Sequence, residues 1–128
     1  MKYLLFILTS FYTVIGNAQI EFKATSSKDA VLINEPFVLE FEVNNNFENF
    51  TLPEFENFKV ISGPSTSMQQ SINMVNGEMI RKTSVKYTYF MKALNSGTFT
   101  FPAAEILIDG EYFYSNPIDI IVIDMQYN

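Results

Sequence analysis

Glu40 and Glu42 stand two apart in the run Phe37-Val38-Leu39-Glu40-Phe41-Glu42-Val43. Two carboxylates so placed could hold a calcium ion or act as the acid–base pair of a glycosidase. The alternation supplies a plainer account, because Phe37, Leu39, Phe41 and Val43 take one buried face and leave the glutamates in water. Glu54 and Glu56 flank Phe55, and Asp109 and Glu111 flank Gly110, which is ordinary turn composition. A serine nucleophile needs an activating base. The chain has no histidine, so only a Ser–Lys or Ser–carboxylate pairing remains, and no basic residue marks one by its local spacing. The histidine absence also removes the commonest transition-metal ligand. The absence of cysteine excludes a thiolate metal site, a disulfide framework and a lipid-modified cysteine. No catalytic, cofactor-binding or metal-binding residue is therefore assigned, and a non-enzymatic protein is expected.

Three further groups carry possible binding chemistry. Gly63-Pro64-Ser65-Thr66-Ser67 has the small polar residues of a phosphate cradle, but it has one glycine and no P-loop lysine. A turn entering a strand explains it better. Tyr87, Tyr89, Tyr112 and Tyr114 form two aromatic pairs at strand spacing; they read as sheet-face packing or as a platform for sugar rings. Arg81, Lys82, Lys86 and Lys92 gather in one stretch. Either they guard a sheet edge against aggregation, or they form a docking surface for an acidic partner.

Strands must position these groups. Ile20, Phe22 and Ala24 alternate with Glu21, Lys23 and Thr25. Phe58 to Ser62 is a short β-branched run ending at Gly63-Pro64. Met68, Gln70, Ile72 and Met74 face one way, and Ser67, Gln69, Ser71 and Asn73 the other. Asn76-Gly77 then marks a two-residue hairpin. A long strand follows from about Met79 to Lys92, with Val85, Tyr87, Tyr89 and Met91 on one face. Asn95-Ser96-Gly97 turns the chain, Asp109-Gly110 marks a second hairpin, and Asn116-Pro117 precedes the last strand, Ile118 to Ile123. That strand is apolar on both faces, so it is expected to be central or covered. Asn44 to Asn49 is the most loop-like segment. Roughly seven to nine short strands at turn spacings of about 8–12 residues predict an all-β, immunoglobulin-like antiparallel β-sandwich, with a small closed barrel as the rival.

The first residues read differently. Lys2, the apolar run Leu4 to Leu8 with its weaker continuation through Ile15, and the small residues at Gly16-Asn17-Ala18 have the three parts of a secretory signal peptide. Residues 1–18 are expected to be removed on export, leaving residues 19–128 as a single domain. Seven basic residues then face 14 acidic ones once Lys2 is lost. An acidic surface disfavours nucleic acid and anionic lipid.

The order of the punctuated strands resembles the first domain of the BatD-type oxygen-tolerance proteins of bacteria. The resemblance rests on Phe22-Lys23-Ala24, Asn34-Glu35-Pro36-Phe37, Leu52-Pro53-Glu54-Phe55, Ser62-Gly63-Pro64-Ser65-Thr66-Ser67 and Asn76-Gly77. Tyr87-Thr88-Tyr89, Gly97-Thr98-Phe99-Thr100-Phe101-Pro102-Ala103, Asp109-Gly110 and Ser115 complete it. The family commonly has glycine where Asn34 stands. The resemblance implies an exported, periplasmic, membrane-associated protein with immunoglobulin-like domains, of which this is the amino-terminal one. It implies von Willebrand-type partner proteins and a MoxR-type ATPase, and a role in aerotolerance. In the family, membrane association comes through a later carboxy-terminal segment or through partners.

The function expected from all of this is an exported, non-enzymatic protein-interaction module. The alternative is a carbohydrate- or surface-binding sandwich, and a histidine-free hydrolase is a third class. The expected docking element is the hairpin from about Thr66 to Lys92. It is longer than a typical strand pair and carries Arg81, Lys82, Lys86 and Lys92. It also presents the polar stripe Ser67, Gln69, Ser71 and Asn73, whose backbone could take an incoming strand. Intact-mass measurement of the periplasmic protein is expected to place the amino terminus at Gln19, as glutamine or pyroglutamate; retention of Met1 would refute the export reading.

Overall fold

The computed structural model describes residues 19–124; the expected export segment, residues 1–18, lies outside them. The described chain forms ten strands: β1 (Phe22–Ser26), β2 (Ala30–Leu32), β3 (Pro36–Val43), β4 (Asn49–Thr51), β5 (Phe58–Val75), β6 (Glu78–Ala93), β7 (Gly97–Phe101), β8 (Glu105–Ile108), β9 (Glu111–Tyr114) and β10 (Ile118–Ile123). They build a four-stranded sheet in the order β1-β3-β6-β5 and two three-stranded sheets, β2-β10-β7 and β4-β8-β9. All pairings are antiparallel except β2 with β10. The two small sheets together cover the inner face of the large one, so the architecture is an immunoglobulin-like β-sandwich.

The alternation seen in the sequence decides which side chains go inside. Phe37, Leu39, Phe41 and Val43 are buried on β3, as are Val85, Tyr89, Met91 and Ala93 on β6. The larger core cluster joins Phe37, Leu39, Phe41, Tyr89, Met91 and Ala93 to Val31, Phe101, Ile120 and Val122 of the β2-β10-β7 sheet. A smaller cluster joins Val43 and Val85 to Ile106 and Ile108 of β8. Phe41 sits among rings from four other strands, with centroids 5.4 Å from Phe50, 6.0 Å from Tyr89, 6.4 Å from Phe22 and 6.5 Å from Phe101. Edge-to-face and tilted contacts of this kind add to the gain from burial alone.

Polar side chains close the ends of the sandwich. Asn116 accepts a hydrogen bond from the Ala24 N–H at 2.9 Å and donates one to the Ala24 carbonyl at 3.0 Å. Its amide thereby imitates a paired strand residue and ties β1 to the corner before β10. The buried hydroxyl of Ser115 accepts from the Ala104 N–H at 2.8 Å. Leu32 to Glu35 forms a β-turn in which the Glu35 N–H reaches the Leu32 carbonyl at 3.0 Å. Asn34 occupies its third position at φ 67°, the left-handed conformation a type II turn requires there. The Glu35 carboxylate folds back onto the Leu32 N–H and pairs with Lys28. The Lys28 contact first, and the Leu32 N–H second, hold the Glu35 carboxyl below the usual carboxylate range.

Both hairpin signals are realised. Asn76 and Gly77 have φ of 52° and 80°, and Asp109 and Gly110 have 49° and 81°, the paired positive values of a type I′ turn. The strand count exceeds the expected seven to nine because β2 and β4 are three residues each, too short to show a period. Asn49 begins β4 rather than ending a loop. The expected break at Gly63-Pro64 is instead an irregularity inside β5. Ile61 has no opposite residue, and Gly63 and Pro64 together face only Tyr89. Each single-residue excess flips the strand's faces and the second restores them. A Cβ on Gly63 would lie 2.8 Å from the Thr88 carbonyl oxygen, so only glycine permits this close crossing. The last strand is central in its sheet, as expected, but its outer face is bare: Ile121 and Ile123 lie beside Leu32, all three exposed.

Two stability measurements check this packing. Phe41→Ala is expected to lower the unfolding free energy by about 3–5 kcal/mol in urea titration; a loss under about 1 kcal/mol would mean that the ring cluster is not the core. Asn34→Gly is expected to be close to neutral, whereas Asn34→Val forces a branched side chain into the left-handed region and is expected to cost about 1–2 kcal/mol.

Candidate partner-docking surface

β6 pairs with β3 only from Val85 to Lys92. Its first half, with the partner half of β5, runs on alone. The seven register pairs from Gln69↔Ser84 to Val75↔Glu78 form a two-stranded arm. At about 3.4 Å per residue it reaches about 24 Å past the last β3 pair. The expected projecting hairpin is therefore present.

The arm's two faces differ. Cross-strand partners share a face, so Met68, Gln70, Ile72 and Met74 lie with Val85, Thr83, Arg81 and Met79. This is the continuation of the core-side face, since Val85 is buried. Beyond Val85 nothing among the described residues covers it; Met74 is 67% exposed and Met79 64%. The other face carries Ser67, Gln69, Ser71 and Asn73 beside Lys86, Ser84, Lys82 and Ile80. The polar stripe expected from the sequence is thus a single continuous row.

The basic residues do not form one patch. Arg81 faces the core side and Lys82 the opposite side, because neighbours on a strand alternate. Lys92 sits ten residues from Lys82, about 34 Å along the strand, opposite Pro36 on one flank and Lys59 on the other. Lys86 stands opposite Glu42 and reaches Glu40 at 3.9 Å. Glu42 in turn accepts a hydrogen bond from Ser84 Oγ at 2.9 Å. The two glutamates therefore serve cross-strand pairing on the outer face of β3. Arg81 and Lys82, on opposite faces midway along the arm, both border the notch beside the free edge of β6. Lys23, Glu21, Asn44 and Asn45 line its other wall.

The edge-guard reading fails for Lys86 and Lys92 only; Arg81 and Lys82 lie on the stretch of β6 that β3 no longer pairs, which is itself a free edge of the arm. Lys86 and Lys92 lie on β6, between β3 and β5, inside the sheet. The strand that forms the edge is β5, and from Ile61 through the turn at Gly77 it contains no charged residue at all. After Pro64 it has no proline, and after Ser65 no register shift. The devices that normally blunt an edge are missing where the edge is longest. This was open to view in the sequence as 17 consecutive uncharged residues, 61–77; what the sequence withheld was which strand lies outermost.

The tyrosines divide. Tyr89 is buried and Tyr87 packs its ring 4.7 Å from Phe50. Tyr112 and Tyr114, on β9 at the edge of its sheet, are 54% and 60% exposed.

The fold is an antiparallel sandwich with one long exposed strand edge. The family model described as the BatD DUF11-like domain matches residues 24–122, nearly the whole described chain, and the protein belongs to the BatD family. No curated protein matches it.

The notch gives a charge test on the fold itself. Glu42→Gln is expected to change stability by less than about 1 kcal/mol in urea titration, since the amide keeps an oxygen to accept from Ser84 Oγ at this exposed site; a larger loss would make the notch a structural joint.

Proposed function

We propose that this chain is the exported, non-enzymatic interaction module of a BatD-type aerotolerance protein, and that it works through the β5–β6 arm. The observation that carries the reading is the unguarded edge of β5. A bare two-stranded ribbon is marginal in water, and this one presents both free backbone groups and exposed methionine and isoleucine side chains. Such an edge gains most from an added strand. The family context supplies the setting: a periplasmic domain, held at the membrane by a further segment or by partners, alongside von Willebrand-type membrane proteins and a MoxR-type ATPase.

Arg81 and Lys82 give the encounter its charge. They stand midway along the arm in a chain of net charge −6, so an acidic partner surface is drawn to the arm rather than to the body. Arg81→Glu with Lys82→Glu is expected to reduce recovery of membrane-complex partners in pull-downs from membrane extract about tenfold, which corresponds to about 1.4 kcal/mol. Circular dichroism is expected to remain unchanged, and raising salt is expected to weaken wild-type recovery. Full recovery by the folded double variant would reject this surface.

The exposed pair Tyr112 and Tyr114 favours a second reading, a carbohydrate-binding module stacking sugar rings on β9. Titration with peptidoglycan fragments separates the two. Binding that Tyr112→Ala with Tyr114→Ala abolishes would support the second reading, and no binding by the wild type would remove it.

A further inference from the structure

The free edge of β5 has a symmetry that a heterologous partner would not require. Counted outward from Ser71, its neighbours are Gln70 and Ile72, then Gln69 and Asn73, then Met68 and Met74. Gln69 answers Asn73 and Met68 answers Met74, while Gln70 and Ile72 differ. We propose that the edge pairs with the same edge of a second copy of this chain, antiparallel, about a two-fold axis through Ser71, so that the second copy and a partner strand compete for it.

The backbone geometry allows this register. Val75 and Glu78 flank the two-residue turn, so they form a hydrogen-bonded pair, and pairs of that kind recur at every second residue down the arm. The odd-numbered residues of β5 therefore spend their N–H and C=O groups on β6. Met68, Gln70, Ile72 and Met74 point theirs outward. In the two-fold register Met68 meets Met74 of the second copy and Gln70 meets its Ile72, so outward groups meet outward groups. Four such pairs exchange about eight hydrogen bonds, two per pair.

Side chains and charge agree with it. On one face methionine lies against methionine and extends the apolar side of both arms. On the other, Gln69 lies against Asn73 of the second copy. A symmetric contact sets each residue near its own kind, and like charges directly opposite are destabilising. Complete neutrality over residues 61–77 is thus a requirement for self-pairing, in a molecule that is otherwise strongly acidic. Lys82 and its twin would be separated by three strand spacings, about 14 Å, beyond the screening length at physiological salt.

The ends of the edge match as well. Val75 of one copy lies opposite Ser67 of the other, so each turn reaches Ser65 and Thr66. That is where the Gly63-Pro64 irregularity ends regular pairing. The two sandwich bodies then sit at opposite ends of the joined arms and do not compete for space.

The chain lacks cysteine, so single-thiol variants of the mature protein report the register directly. In the non-hydrogen-bonded Ser71 pair the Cα atoms lie about 4.5 Å apart, within disulfide reach. Ser71→Cys is expected to form a disulfide-linked dimer under mild oxidation. Ser67→Cys is expected to stay monomeric on the same gel, because its twin is eight residues away, about 27 Å. Sedimentation at about 50 µM, a concentration that populates interfaces of small area, is expected to give a dimer mass for the wild type. Gln70→Lys with Ile72→Lys sets like charges opposite each other and is expected to give a monomer with unchanged circular dichroism. A monomeric wild type, equal cross-linking at Ser67 and Ser71, or a dimer that survives the lysine pair would each overturn the proposal. Arg81→Glu with Lys82→Glu is expected to leave the dimer mass unchanged, so loss of partner recovery and loss of self-pairing are separate results.

Discussion

The packing of Phe41 is the contact on which the sandwich depends. Its ring touches Phe22 on β1, Phe50 on β4, Tyr89 on β6 and Phe101 on β7, and so reaches all three sheets at one point. A chain without cysteine has no covalent clamp between layers, and burial must do that work. Backbone hydrogen bonds join the small sheets to the large one at a local bridge, where Ile33 just after β2 lies beside Ala93 and the Asn34 N–H reaches the Ala93 carbonyl at 2.9 Å. Side-chain packing around Phe41, Leu39 and Met91, with the Asn116 amide bonded to Ala24, holds them against it. That packed body carries an arm that has no core of its own.

Body and arm follow opposite rules on the same two strands. From Val85 to Ala93, β6 alternates a buried with a less buried residue, and β3 braces it. From Glu78 to Lys82 every residue is exposed, and β5 is exposed from Ile61 to Val75. Nothing in local propensity changes at Ser84; what ends is β3. The arm persists as a ribbon because the Asn76-Gly77 turn fixes its register from one end while the sheet fixes it from the other.

Much of this was legible in the sequence because it depends on period and turn chemistry. The buried stripe of β3, the faces of β6 and both type I′ hairpins follow from alternation and from residues that accept positive φ. What was hidden depends on neighbours distant in the chain. The three-residue strands β2 and β4 exist only because β10 and β8 pair with them. Gly63-Pro64 has the composition of a break, yet the close approach to Thr88 lets β5 continue past it. Arg81 and Lys82 looked like members of a four-residue cluster; alternation turns them to opposite faces, and strand length carries Lys92 away. The apolar outer face of Ile121 and Ile123 looked like a sign of cover, and the sheet leaves it open.

The distribution of charge draws these points together. An acidic chain of this size stays soluble and resists its own association over most of its surface. The 17 uncharged residues 61–77 suspend that resistance along one line, and that line is the sheet edge. If neutrality there were an accident of a solvated loop, it would have no reason to coincide with the outermost strand. Nor would it need to continue until the turn places Glu78, Arg81 and Lys82 on the strand behind. In the proposed docking, the charges that would bias an encounter lie on β6 and the backbone groups that would complete it lie on β5. Steering and pairing would then be separable properties of one hairpin, and a change to either would leave the other in place.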